Sequence, residues 1–326
     1  MVSLIIPVYN IAPWLDQCLH SVSGQSCQEW ECLLVDDGST DGSGRLCDNW
    51  ARQDPRFTVL HQVNRGAAAA RNAALEKARG EFVSFIDSDD YVDTDYLATL
   101  LQGIRKEDAD LCVCGFKREQ EGPGAKLIAP EADTFFSLDA KHSDRFLELI
   151  RKHLLFGPVS KMYRREQIVR QNARFDERFT YGEDLMFNLA YLQGTETIAS
   201  VASAPYHYRI HGTETLSTRF RADRFRTDYI QWKALEALFA QKGLLTDAGQ
   251  AFLYERLWGH IYDGIFQFPQ MKDTSYSYLQ QILAIPEIDR LNQFKDSFSC
   301  ADWIKNGILH RRARSFYLYF KFRSRK

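Results

Sequence analysis

The stretch EFVSFIDSDDYVD, residues 81–93, governs how the rest of the chain is read. An apolar, strand-forming run ends in Asp87, Asp89 and Asp90, with only Ser88 between them. Like charges crowded at one strand end are costly in a folded protein unless a cation lies among them. Hard oxygen ligands of this kind suit magnesium or manganese better than zinc, and such ions keep open positions for phosphate oxygens. The same residues also fit a solvated acidic turn in which Asp89 or Asp90 caps a helix. The neighbouring segments must choose between the two.

Upstream, strand and helix signals alternate. VSLIIPVY (2–9) is an apolar, β-branched run, and IAPWLDQCLHSVSGQ (11–25) carries apolar residues at helical spacing. WECLLVDDGS (30–39) is a second strand, closed by Asp-Asp-Gly. A helix over 41–53, a strand FTVLHQ (57–62) and an alanine-rich helix from Ala67 to Arg79 follow, with Gly80 in the position of a C-cap. FVSFID is then the fourth strand. Near-continuous apolar strands separated by amphipathic helices predict an α/β fold whose parallel sheet is buried on both faces. Ligands of such sheets gather at the carboxyl ends of the strands. Tyr9-Asn10, Asp36-Asp37-Gly38 and Asp87-Ser88-Asp89 all fall there.

Beyond Leu111 the pattern loosens. DLCVCGFKRE (110–119) reads as a strand, EQEGPGAKLIAPEAD (119–133) as an irregular loop and FLELIRKHLLF (146–156) as a helix. VSKMYRREQIV (159–169) leads into another helix, and Gly182-Glu183-Asp184 opens an apolar-faced one. ASAPYHYRIHGTETLS (202–217) is a strand followed by a polar loop. From Arg221 the pattern is mostly helical, with helices near 223–241 and 247–266. A boundary near 220 therefore separates an α/β region, 1–220, from a helical C-terminal region, 221–326. Within the first, a half spanning about 1–110 precedes one spanning about 111–220.

The net charge of −2 is unevenly distributed. From Lys305 onward there are eight Lys or Arg and no acid, which leaves 33 basic against 43 acidic residues in the remainder. The tail ILHRRARSFYLYFKFRSRK (308–326) interleaves those cations with Phe and Tyr. Such a segment suits an interfacial helix on anionic lipid; the alternative is a helix packed on the core with a solvated basic face. Nucleic acid finds no support beyond this charge. Seven cysteines, odd in number and without C-x-x-C spacing, fit buried thiols in a reducing compartment better than a disulfide framework or zinc knuckle. There is no basic n-region of a signal peptide and no apolar run of about 18 residues. A cytoplasmic protein, peripheral on the cytoplasmic face of the inner membrane, is expected.

Several side chains qualify for a nucleotide site. A carboxylate at Asp36 or Asp37 can accept the imide N–H of a uracil ring while Tyr9 stacks on its face, and Gly38 permits close backbone approach. Asp-Asp-Gly-Ser is equally a common turn. Arg71 lies one to two turns into the helix that follows Asn64-Arg65-Gly66, within reach of a base or diphosphate; the plainer alternative is a salt-bridged helix arginine. The His207–His211 spacing would suit zinc on a helix, but Pro205, Gly212 and the surrounding aromatic residues argue for strand and loop.

Taken together, LIIPVYN, LLVDDGSTDGS, NRGAAAARNAAL and GEFVSFIDSDDYVD, in this order, resemble an inverting family 2 glycosyltransferase with the GT-A fold. The resemblance covers residues 2–95 and recurs over 157–217 in FGPVSKMYRRE, FTYGEDLMF and YHYRIHG. It implies a Rossmann-like, mostly parallel sheet and a magnesium- or manganese-dependent transfer from a nucleoside-diphosphate sugar, most often UDP-linked, to a glycan or polyprenyl-linked acceptor. Asp87-Ser88-Asp89 matches the family's D-x-D, with Asp89 as direct metal ligand and Asp87 nearer the sugar or ribose. Pro7, Val8 and Tyr9, continuing into Asn10, match the strand end that lines the base, and Asp36 or Asp37 the uracil-binding carboxylate. Glu183-Asp184 matches the pair that supplies the general base, with Asp184 preferred. His211 would complete the metal or diphosphate site. A sugar nucleotidyltransferase would need a glycine- and lysine-rich loop that LIIPVYNIAPW lacks. Asp87, Asp89 and Asp184 together argue against a non-catalytic scaffold.

Overall fold

The computed structural model describes residues 1–119, 124–211, 221–270 and 276–323, and the chain divides into two units, residues 1–215 and 216–326. The first unit runs β1 (Val2–Val8), α1 (Ala12–Ser23), β2 (Trp30–Asp36), α2 (Ser43–Gln53), β3 (Phe57–His61), α3 (Ala67–Lys77), β4 (Phe82–Phe85), β5 (Tyr91–Val92) and α4 (Tyr96–Lys106). It continues with β6 (Leu111–Val113), β7 (Phe116–Glu119), β8 (Lys126–Ile128), β9 (Thr134–Ser137), α5 (Ser143–Arg151), β10 (Lys161–Arg164), α6 (Arg165–Arg170), α7 (Glu183–Gln193), β11 (Thr197–Ser200) and β12 (Tyr206–Arg209).

The larger sheet has the order β3-β2-β1-β4-β10-β6-β11-β9, and the smaller one β5-β12-β7-β8. β1 to β4 are parallel, as their unbroken apolar runs require. The register sets Val8 opposite Asp36 and ends the β1–β4 pairing at Ile5 opposite Phe85. Pro7 lies past that last pair, so its missing N–H breaks no bond to β4, and the two chains separate where Asp87 emerges. β4 and β6 each pair antiparallel with β10, which makes the sheet mixed.

Three local expectations change. The segment 110–119 is two strands, because Leu111–Val113 pairs with β10 and β11 while Phe116–Glu119 pairs with β12 and β8 in the smaller sheet. The loop expected over 119–133 contains β8, which pairs antiparallel with β7. Gly80 is not a left-handed C-cap, since α3 already ends at Lys77. Its N–H donates to Ser3 Oγ at 2.8 Å, and a Cβ there would stand 2.5 Å from Ser3 N. Glycine is required at 80 for close approach to β1 rather than for its dihedral range.

The second unit comprises α8 (Arg224–Gln241), α9 (Asp247–Gln267), α10 (Tyr276–Leu283), α11 (Ile288–Leu291), α12 (Asp302–Leu309) and α13 (Ala313–Arg323). Thr246 caps α9 by accepting the Gly249 N–H. Trp232 is fully buried and donates its indole N–H to Leu253 O at 2.7 Å, tying α8 to α9. No helix among the described residues is long and apolar enough to cross a membrane. Cys18, Cys32, Cys47, Cys112 and Cys114 are free and buried, and burial pushes their thiols above the usual range.

Candidate functional site at the strand ends

At the end of β1, Tyr9 leaves its ring 51% exposed. Asn10 adopts a left-handed backbone, φ 47°, which asparagine tolerates better than most residues. Its side-chain oxygen accepts the Thr40 N–H at 2.8 Å, bracing the loop that follows β2. Asp36 turns toward α2, where Oδ1 accepts the Ser39 N–H at 3.0 Å and Oδ2 meets His61 Nδ1 at 2.9 Å. Burial opposes its charge, but the hydrogen bonds from Ser39 and His61 outweigh burial and hold the carboxyl below the usual range. Asp37 is only 2% exposed: Oδ1 accepts from Gln62 Nε2 and the Arg65 N–H, and Oδ2 from the Gly66 N–H. Gly38, at φ 75°, closes the turn against Asn64, whose N would lie 2.9 Å from an added Cβ.

The acidic run is not a helix cap. It leads into the two-residue β5, and the next helix starts only at Tyr96. Asp90 instead faces β12, where Oδ2 accepts the Tyr206 hydroxyl at 2.6 Å and Oδ1 the Arg209 N–H at 2.8 Å. Tyr206 Oη in turn accepts the Asp87 N–H at 3.1 Å, and Arg209 Nη1 donates to Asp89 O at 2.9 Å. The Arg209 guanidinium lies 4.6 Å from the Tyr91 ring and 5.1 Å from the Trp14 ring. The His211 ring rests on Trp14 at 4.6 Å. β12 and its extension are thus strapped to the turn, with Asp89 held toward His211. Sequence reasoning placed Asp90 in the acidic run without foreseeing its bonds to β12, and it missed Tyr206 and Trp14 as parts of the site, because each reads locally as an ordinary strand or helix residue. Tyr206→Phe would leave the Asp87 N–H without its acceptor and should lower stability by about 1–3 kcal/mol, read from urea unfolding midpoints.

Arg71 joins the two halves of the site. Its side chain is pinned over the Phe175 ring at 5.3 Å, and the residue is 5% exposed. Nη2 donates to Asp87 Oδ1 at 2.8 Å and Nη1 to Asp184 Oδ1 at 2.9 Å, with Glu183 Oε1 at 3.7 Å from Nη1. The guanidinium is therefore committed to carboxylates rather than turned out toward a base. Burial alone would weaken its charge, but Asp184 and Asp87 hold it fully protonated. Asp184 stands in the first turn of α7, and its side chain keeps 31% exposure. Burial raises its pKa, Arg71 pulls it back, and Glu183 and Asp87 add to the rise, leaving it at about 7. Beneath this pair, the buried Lys161 donates to the carbonyls of Gly157 at 2.7 Å and Val159 at 2.9 Å, with burial lowering its pKa to about 7.

Among the described residues, no three His, Cys, Asp or Glu side chains converge as a ready-made metal cage. The pair Asp89–His211 nonetheless fits a cation. Asp89 Oδ2 and His211 Nε2 stand 3.4 Å apart, and that buried nitrogen has no hydrogen-bond partner. Two ligands of one ion at ~2.1 Å each are separated by a similar span. Burial first, and Asp87 second, raise the Asp89 carboxyl above its usual range, so a cation there would relieve the repulsion.

Comparison with known proteins places this geometry in context. The family model described as Glycosyl transferase family 2 matches residues 3–169. The chain is 31% identical over 217 residues to the uncharacterized glycosyltransferase EpsJ of Bacillus subtilis (strain 168), covering 64% of this chain and 61% of EpsJ. It is 32% identical over 253 residues to the putative glycosyltransferase EpsH of the same organism, covering 76% of this chain and 71% of EpsH. The chain therefore spans less than two thirds of EpsJ. The crystal structure of S. aureus TarS 1-349 in complex with UDP-GlcNAc superimposes with a TM-score of 0.70 at 22% identity, over 98% of this chain and 89% of that one. That likeness establishes a shared GT-A fold.

Proposed function

The chain belongs to glycosyl transferase family 2, and from that premise we propose that it moves a sugar from a nucleoside-diphosphate donor to an acceptor hydroxyl, with inversion, in the assembly of a bacterial surface polysaccharide or lipid-linked oligosaccharide. The observation that carries this reading is the Arg71 bridge, which joins Asp87 at the end of β4 to Asp184 at the start of α7. A donor-side carboxylate and a basic carboxylate are thereby held on either side of one fixed cation.

Asp184 is the general base. With a pKa of about 7 it is substantially ionised at neutral pH yet basic enough to take a proton from a hydroxyl. The acceptor O–H proton passes to the Asp184 carboxylate as that oxygen bonds to the anomeric carbon. The bond from that carbon to the diphosphate oxygen breaks on the opposite face, and its electron pair leaves with the diphosphate. Arg71 keeps Asp184 from protonating fully and aims Asp87 at the donor sugar. Tyr9 stacks on the base, and Asp36 or Asp37 at the end of β2 accepts its ring N–H. A UDP-linked donor is favoured by the likeness to a protein solved with UDP-GlcNAc. A magnesium or manganese ion held by Asp89 and His211, with Asp87 close by, would supply Lewis-acid stabilisation of the departing diphosphate.

A panel of UDP-, GDP- and dTDP-sugars, assayed for manganese-dependent release of the nucleotide diphosphate, tests the proposal; no release from any donor would reject it. Asp89→Ala is expected to weaken manganese binding at least ~10-fold, read by electron paramagnetic resonance titration, and to abolish metal-dependent release. Unchanged manganese affinity would remove Asp89 from the metal site.

A further inference from the structure

The sequence from Trp303 onward, within which most of α12 and all of α13 lie, holds eight Lys or Arg and no acid. α13 turns Ala313, Phe316 and Phe320 inward, and the Phe320 ring lies 5.6 Å from Phe266 and 5.8 Å from Phe268. The opposite arc of the same helix carries the exposed Arg314, Leu318 and Lys321 at i, i+4 and i+7. Leu318 is 39% and Trp303 44% exposed; the Trp303 ring lies 4.8 Å from Tyr319 and 5.7 Å from Phe316, so the indole borders the exposed arc on the flank away from Arg314 and Lys321. Arg312 is exposed in the turn between the two helices. Arg311 does not belong to this face, because it donates to Leu283 O and Ile285 O and pairs with Asp289. Within α12 and α13 themselves the one acid is Asp302, at the first turn of α12.

We propose that this face, formed by Trp303, Leu318, Arg312, Arg314 and Lys321, docks on an anionic phospholipid surface. The cations meet lipid phosphates, while the indole and the leucine enter the boundary between headgroup and acyl chain. Charge complementarity selects this occupant. A second copy would set Arg314 and Lys321 against their own kind, and a nucleic acid would leave Leu318 facing polar backbone. The inward stripe of α13 is satisfied within its own helical unit, so the docking face is the outward arc and not the aromatic tail as a whole.

The test is flotation of the full chain with vesicles of pure phosphatidylcholine and of phosphatidylcholine containing 30 mole per cent phosphatidylglycerol, at low and high salt. The full chain should float with the anionic vesicles only and be released by salt. The triple variant Arg312→Glu, Arg314→Glu, Lys321→Glu should partition at least about 100-fold more weakly, with an unchanged circular dichroism spectrum. In a second measurement, brominated lipid should quench tryptophan fluorescence in the wild type more than in Trp303→Phe. Absent binding to anionic vesicles, undiminished binding by the triple variant, or equal quenching in Trp303→Phe would each overturn the proposal. Salt-sensitive retention on single-stranded DNA without vesicle binding would overturn it in favour of nucleic acid. These readouts measure partition and not turnover, so they stand or fall separately from the transfer reaction.

Discussion

Asp184→Asn is expected to reduce kcat by about 1,000-fold at pH 7.5 while leaving the affinity for UDP within about threefold, because the amide keeps the shape and the contact to Arg71 but cannot take a proton. Isothermal titration with UDP and steady-state transfer rates separate the two effects. In the wild type, kcat should rise with pH to half its maximum near pH 7 and level off about one pH unit higher, following ionisation of a carboxyl held at about 7. Below that point the slope should approach tenfold per pH unit, since only the ionised form accepts the proton. A flat pH profile, or Asp184→Asn retaining more than a tenth of wild-type kcat, would move the base elsewhere, with Glu183 the next carboxylate to test.

Arg71→Met should damage both stability and activity. The substitution keeps the apolar stem over Phe175 but removes the cation between Asp87 and Asp184. Breaking a fully buried pair costs about 3–5 kcal/mol; with each carboxylate about a third exposed, water repays part of that, and a loss of about 2–3 kcal/mol is expected. The melting temperature should fall by roughly 5–8 °C. The sign of the pH dependence follows from linkage. Arg71 is the group that lowers the Asp184 pKa, so its loss raises that pKa further above the unfolded value. A carboxyl in that position stabilises the fold while protonated and loses that contribution as it ionises in place. The deficit of Arg71→Met should therefore widen from pH 6 to pH 8, and the midpoint of any residual activity should move alkaline. A deficit independent of pH would show that the guanidinium acts through packing alone.

The alternation of apolar strands with amphipathic helices over the first hundred residues was legible because a strand buried on both faces must be apolar throughout. The observed β1 to β4 follow that pattern, with helix ends displaced by only a few residues. Where the expectation failed, the partner lay outside the segment being read. Gly80 looks like a helix stop but answers to Ser3 in a distant strand. The run 110–119 looks like one strand but serves two sheets, since β12 and β8 pair with the two edges of its second half. Of the basic tail, charge and aromatic content were evident, but which rings face inward depends on the rotation of α13 about its axis.

The candidate site divides in the same way. Asp87, Asp89, Asp36, Asp37, Tyr9 and Asp184 stand out in the sequence because carboxylates and an aromatic ring at strand ends or a helix start are costly or exposed without a ligand, and that cost is visible locally. The sequence by itself determined the parallel α/β layout and which strand ends carry acidic groups. The tertiary structure alone decided that Arg71 bridges Asp87 and Asp184, 113 positions apart from the latter, that Asp90 braces β12, and that Trp14 seats His211 before Asp89. The physical reason is the range of the information. Periodicity and charge cost are properties of a dozen neighbouring residues, whereas the partner that neutralises a buried charge is chosen by the packing of the whole unit.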